Sequence, residues 1–198
     1  MDLLYTEFQR LRLDGSQIGL EPGDDTPWFC TPVGTEIIGW DSGIHYCFLP
    51  EFGDMVFCVN PETCCDHYVY PIAETFRDFL RLILAVGNTN ILQQIIWWDK
   101  CAFDAFLNDP EEREYRSSPE VTQALRTIAE GLKLTPMEDP FGVVKALQSQ
   151  FPYEKIPFSN DYYDTLGLPR PDGTEAEPSP SAFESVSFHV ERAADQSL

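Results

Sequence analysis

The chain of 198 residues sets 33 Asp and Glu against 13 Lys and Arg, a formal charge of −20, with 43% hydrophobic and 13% aromatic residues. That excess of acid repels phosphate backbones and anionic membrane surfaces, so neither nucleic acid nor membrane is expected as a partner. The apolar share is that of a packed domain, long enough to bury roughly 70% of its unfolded surface, and no apolar run approaches the ~20 residues of a membrane-spanning helix.

Taken in order, MDLLYTEFQRLRL fits either a short helix or a strand, and LEPGDDTPW is loop. From Trp28, WFCTPV and EIIGW are short apolar runs separated at Gly34, and the runs 44–49, 55–59 and 68–70 follow at the spacing of an antiparallel meander. Four or five strands are expected, six at most. The period then changes in PIAETFRDFLRLILAVGN. Phe76, Phe79, Leu80, Ile83 and Leu84 share a helical face, Thr75 with Asp78 resembles a capping box, and Gly87-Asn88 supplies a left-handed stop. This helix, covering the sheet, is the expected nucleus of an α+β fold.

Further helices are expected after it. Asn90 marks a capped start with Ile91, Ile95 and Trp98 on one face, and Asp99 caps a segment that buries Phe103, Phe106 and Leu107. Ser118-Pro119 opens a helix with Val121, Leu125, Ile128 and Leu132 inward; Asp139-Pro140 opens another with Val143, Val144 and Leu147 inward. The expected domain is 1–151. Residues 152–198 then form a Pro-rich acidic tail, in which Val186, Phe188 and Val190 alternate with polar residues as a half-buried strand would, so 183–190 is expected to dock on a sheet edge.

Gly39-Trp40, the turn-rich strands around Gly53-Asp54, and Ile72-Ala73-Glu74-Thr75-Phe76-Arg77-Asp78-Phe79-Leu80 resemble the SMI1/KNR4 (SUKH) superfamily over about residues 37–86. In that family a strand meander runs into a similar helix start. The family usually opens with a helix and an Asn-Gly-Gly-like turn, which residues 1–36 do not display. The resemblance implies an α+β domain that binds other proteins without catalysis, in bacteria often an immunity protein that neutralises a toxin and in fungi a regulator of cell-wall synthesis.

Residue chemistry by itself shows no catalytic motif. Cys58, Cys64, Cys65 and His67, with His45 and Cys47, are zinc-ligand types, but no C-x-x-C pair is present, and His45 and Cys47 alternate with apolar neighbours as core residues do. No elbow or oxyanion loop accompanies any Cys–His combination, and paired acids such as Asp24-Asp25 or Glu111-Glu112 are commonplace in so acidic a chain. No catalytic residue, metal or cofactor is therefore expected. Met1-Asp2-Leu3 lacks the features of a signal peptide, so a cytoplasmic location and six free thiols are expected. Two alternatives stay open: an enzyme or metal-binding protein using Cys and His, and a structural assembly component.

A chain this acidic is steered towards a basic surface, and toxins that act on nucleic acid must present one. The expected protein partner therefore has a basic face. Asp41, Glu51 and Asp54 at the strand turns are expected near the contact, with Trp40 as an anchor and Trp97 as a second exposed aromatic, because Trp97 and Trp98 lie about 100° apart on a helix and cannot both face inward.

Overall fold

The computed structural model describes residues 3–23, 26–63 and 65–174. The expected docking strand at 183–190 and the acidic pair at 24–25 lie outside them. Two compact units are present, Met1–Ser159 and Asn160–Leu198.

The first unit is built on one antiparallel sheet in sequence order, β1 (Glu36–Asp41), β2 (Ile44–Phe48), β3 (Val56–Val59) and β4 (Val69–Ala73). This is the α+β meander expected from the spacing of the apolar runs. The run 28–33 is not a strand: the Thr31 hydroxyl accepts from the Trp28 amide at 2.8 Å, the Thr31 amide donates to the Trp28 carbonyl at 2.9 Å, and the segment closes into a turn. Such side-chain capping competes directly with a ladder.

Register assigns the two faces of the sheet. Tyr46, Cys58 and Tyr70 stand side by side on one face, and His45, Val59 and Val69 on the other. Both faces are covered. Every residue of β3 and β4 is buried, which is why these strands read as continuous apolar runs rather than as alternation.

The first face packs on α2 (Phe76–Val86) and α3 (Thr89–Gln94). Thr75 caps α2 by accepting from the Asp78 amide at 3.1 Å and donating to the Asp78 carboxylate at 2.8 Å, while Gly87 ends it at φ 99° with its N–H on the Ile83 carbonyl. Phe76 and Phe79 are fully buried against Tyr5, Tyr46 and Phe48, each side chain contributing roughly 1.5–3 kcal/mol by burial. The second face is closed by rings, Phe52 and Phe151 on Phe57, and Trp40 on His45 with Trp28 packed against Trp40.

The opening segment is helix α1 (Leu3–Arg10), whose Tyr5 enters the core. The helix expected to start at Asn90 starts two residues earlier, because Asn88 supplies the cap by accepting from the Ile91 amide at 3.2 Å. Asp99 caps α4 (Lys100–Leu107), Ser118 caps α6 (Pro119–Leu132) and Asp139 caps α7 (Pro140–Gln150), all as expected. On α7 Val144 is buried, but its neighbour Val143 is exposed, since adjacent helix positions cannot share a face. Between α4 and α6 lies α5 (Pro110–Arg116), which the apolar pattern did not predict because it buries no residue; its Asp109 cap accepts from the amides of Glu111 and Glu112.

The first unit closes at Ser159. Ile156 is buried, and the Val33 amide donates to the Pro157 carbonyl at 2.8 Å. In the second unit the described residues form α8 (Asn160–Leu166), after which Arg170 clamps Asp164 with two hydrogen bonds of 3.0 and 2.7 Å. Part of the stretch expected as a Pro-rich acidic tail is therefore helical. Among the described residues no helix is long and apolar enough to cross a membrane.

Candidate functional site

Asp41 ends β1, and a two-residue turn of Ser42 and Gly43 returns the chain into β2. Ser42 holds φ 56°, in the left-handed region where a side chain is disfavoured. The tip of this hairpin meets three other segments: the 3-10 turn Gly15–Ile18, the start of α3, and α5. Together they enclose a cavity of about 430 Å³ lined by Ser16, Gly19, Asp41, Ser42, Asn88, Asn90, Glu112 and Tyr115.

Its walls are tied by a hydrogen-bond network. The Thr89 hydroxyl lies 2.8 Å from the Gly19 carbonyl and 3.1 Å from Asp41 Oδ2, sharing its proton between them. Gly19 adopts φ 73°, and a Cβ there would fall 2.1 Å from the Thr89 hydroxyl, so only glycine permits this approach. Beneath it, Tyr46 from β2 donates to the Thr89 carbonyl at 2.9 Å and Tyr70 from β4 donates to the Gln93 carbonyl at 2.9 Å, which seats α3 on the sheet. The Asn88 side chain, having capped α3, turns its Nδ2 to Glu112 at 3.2 Å, and the Tyr115 hydroxyl donates to the Gln17 carbonyl at 3.1 Å.

The two carboxylates of the cavity differ in their balance. Glu112 has Arg116 Nε at 3.5 Å, whereas no Lys, Arg or His among the described residues lies within ion-pair distance of Asp41. Burial raises the pKa of Asp41, the Thr89 hydroxyl opposes that rise, and the charge of Glu21 adds to it. Asp41 is thus a partly desolvated carboxylate that lines the cavity without a counter-charge among the described residues.

A family-model scan finds no match to this chain, and searches of curated proteins and of solved structures find none. The site therefore rests on its own geometry.

Of the residues expected at a partner contact, Asp41 lines this cavity, whereas Trp40, next to it in β1, points to the other face of the sheet. The Trp40 ring lies 4.6 Å from that of His45 and 6.2 Å from that of Trp28, and its backbone pairs on both sides with Glu21 at 2.8 and 2.9 Å. Glu51 and Asp54 are exposed in the connection between β2 and β3, at the opposite end of the sheet from the hairpin tip, so strand direction separates them from Asp41. Trp97 is 39% exposed beyond the end of α3, while Trp98 packs 5.0 Å from Phe106. The hairpin tip instead gathers other aromatics: Trp28, 42% exposed, donates from its indole to the Gly43 carbonyl at 2.9 Å, and Tyr115 is 43% exposed.

Glu112, Tyr115 and Asn90 were not expected here. Glu112 and Tyr115 belong to the helix that lacks an apolar stripe; the Asp109-Pro110 start was the one signal that could have revealed it. Along the outer edge of β1 a second concavity of about 330 Å³ is lined chiefly by Tyr5, Phe8, Leu20, Ile38 and Trp40.

Cys30, Cys47, Cys58 and His45 are core residues, whereas Cys65 and His67 are partly buried and Cys101 is exposed. Burial raises the thiols of Cys47 and Cys58 well above their ordinary range and that of Cys30 to about 12, and lowers His45 to about 4. Cys30, Cys47, Cys58, Cys65 and Cys101 are free thiols, and Cys64 lies outside the described residues. No group of three or more His, Cys, Asp or Glu among the described residues is arranged to hold a metal.

Proposed function

We propose that this chain is a non-enzymatic, cytoplasmic protein-binding module that captures a partner through its basic face, as an immunity-type protein captures a toxin. The observation that carries this reading is Asp41: a partly buried carboxylate with no cation beside it among the described residues, at a hairpin tip flanked by the exposed rings of Trp28 and Tyr115 and the half-buried ring of Trp40. An unpaired, partly desolvated charge is costly in the free protein and is relieved when a partner supplies the opposite charge. Exposed aromatics beside it provide the contact area that interface anchors need. The formal charge of −20 adds long-range attraction for basic surfaces, and the resemblance to the SMI1/KNR4 superfamily over 37–86 agrees with protein binding.

The test is capture of a partner from native lysate, followed by binding kinetics at several salt concentrations. Association should slow steeply between low and physiological salt while dissociation changes little, and Asp41→Lys should weaken binding by roughly tenfold or more. A salt-independent association rate, or an Asp41→Lys variant that binds as tightly as the parent, would refute this mode of recognition.

A further inference from the structure

The cavity at the hairpin tip has a chemistry more specific than negative charge, and we infer that it is a receptor for a single guanidinium group, the side chain of an arginine presented by the partner. This rests on the protein-binding reading above and narrows it to one residue type.

Four features converge. The cavity, about 430 Å³, can hold one long side chain. Its lining carries the Asp41 carboxylate, one of whose oxygens already accepts from Thr89, leaving acceptor capacity on the group and no cation beside it among the described residues. A carboxylate is the natural bidentate acceptor for the planar fork of an arginine. Its rim carries the half-exposed ring of Tyr115, held in place by the hydroxyl contact to Gln17, and a guanidinium stacks on such a face. The remaining lining, Ser16, Ser42, Asn88 and Asn90, is neutral and brings no competing cation; the Asn88 and Asn90 side-chain oxygens are already taken by Ile91 and by Gln93 and Gln94, which leaves Asp41 as the acceptor of the site.

The neighbouring charges do not fill the place. Arg116 is already engaged: it approaches Glu112 at 3.5 Å and donates to the Leu107 carbonyl. Glu21, whose charge acts on Asp41, adds to the attraction for a cation. Arginine is favoured over lysine because a guanidinium is more weakly hydrated than an ammonium and loses less on entering a partly desolvated site. A phosphate or carboxylate ligand would meet Asp41 and Glu112 with like charge and is excluded on the same ground.

The test uses the full chain and three small probes: the acetyl-amide derivatives of arginine, of lysine and of citrulline, the neutral isostere of arginine. Amide and side-chain NMR shifts are followed during titration of each. The arginine probe should give saturable shifts concentrated on Ser42, Asn88 and Asn90, with the lysine probe weaker and the citrulline probe without effect. Asp41→Asn should weaken the arginine probe by roughly tenfold, and Tyr115→Leu by a smaller factor, with the rest of the spectrum of each variant unchanged as the check on folding. Equal shifts from citrulline, shifts scattered over the acidic surface, or arginine binding undiminished in both variants would overturn the inference. A partner captured through a basic face, but with the arginine probe silent at the cavity, would remove the guanidinium receptor and leave the broader reading intact.

Discussion

The imidazole of His45 lies against the indole of Trp40 across the β1–β2 ladder, ring centroids 4.6 Å apart. The histidine is fully buried; among the described residues its Nε2 reaches the Thr31 hydroxyl at 3.5 Å and its Nδ1 meets no hydrogen-bond partner. Burial holds its pKa at about 4, below the ordinary value of 6.5. The unfolded chain therefore takes up a proton that the folded chain refuses between those two values.

Stability should accordingly fall as pH is lowered through 6.5 and level off near 4, because in that window the unfolded state binds more protons. The full loss is on the order of 3 kcal/mol. Asp41 acts in the opposite sense. Its raised folded pKa makes the folded state bind more protons just above 3.8, so its contribution is lost as pH rises through the folded value. Urea unfolding from pH 4 to 8 measures the sum, and His45→Phe should flatten the 4–6.5 segment.

Asp41→Asn should stabilise the free protein at pH 7 by about 1 kcal/mol or less, since the amide can still accept from Thr89 and no longer buries an uncompensated charge. The same variant should bind the partner more weakly. Denaturation midpoint and affinity moving in opposite directions is the expected outcome; a destabilised variant would show that Asp41 is paired in solution.

Ser42 is the first residue of the hairpin turn and holds φ 56°. Glycine adopts that conformation at little cost, so Ser42→Gly should raise stability by about 0.5–1 kcal/mol, read by thermal or chemical unfolding.

Tyr46→Phe leaves the buried Thr89 carbonyl without its donor and should cost about 1–2 kcal/mol. Because Thr89 opens α3, its effect should extend to the cavity, visible as faster amide exchange at the start of that helix. Phe79→Ala, which empties a fully buried site in the core, should cost about 3–5 kcal/mol without that local signature.

Thiol labelling at neutral pH should proceed at exposed Cys101, more slowly at Cys65, and at Cys30, Cys47 and Cys58 only on unfolding. Burial both shields these three sulfurs and disfavours their thiolates. Mass spectrometry after timed alkylation resolves the order, and early labelling of Cys47 would mean that the second sheet face opens readily.

Local chemistry determined much of the chain's architecture directly. Thr75 with Asp78, Asp99, Ser118-Pro119 and Asp139-Pro140 each open a helix, because a cap is satisfied by amides within three residues. The strands were legible as apolar runs between turn residues. The cavity was not. Asp41 could be singled out as an acid at a turn, but its lack of a cation depends on what α5 and the 3-10 turn bring beside it, and those segments carry no apolar period to announce them. Strand direction, which places Glu51 and Asp54 at the far end of the sheet from Asp41, likewise belongs to the assembled meander. Helix starts are written in contacts between near neighbours along the chain; whether a charge is paired is written in contacts between residues tens of positions apart, and only the tertiary structure decides those.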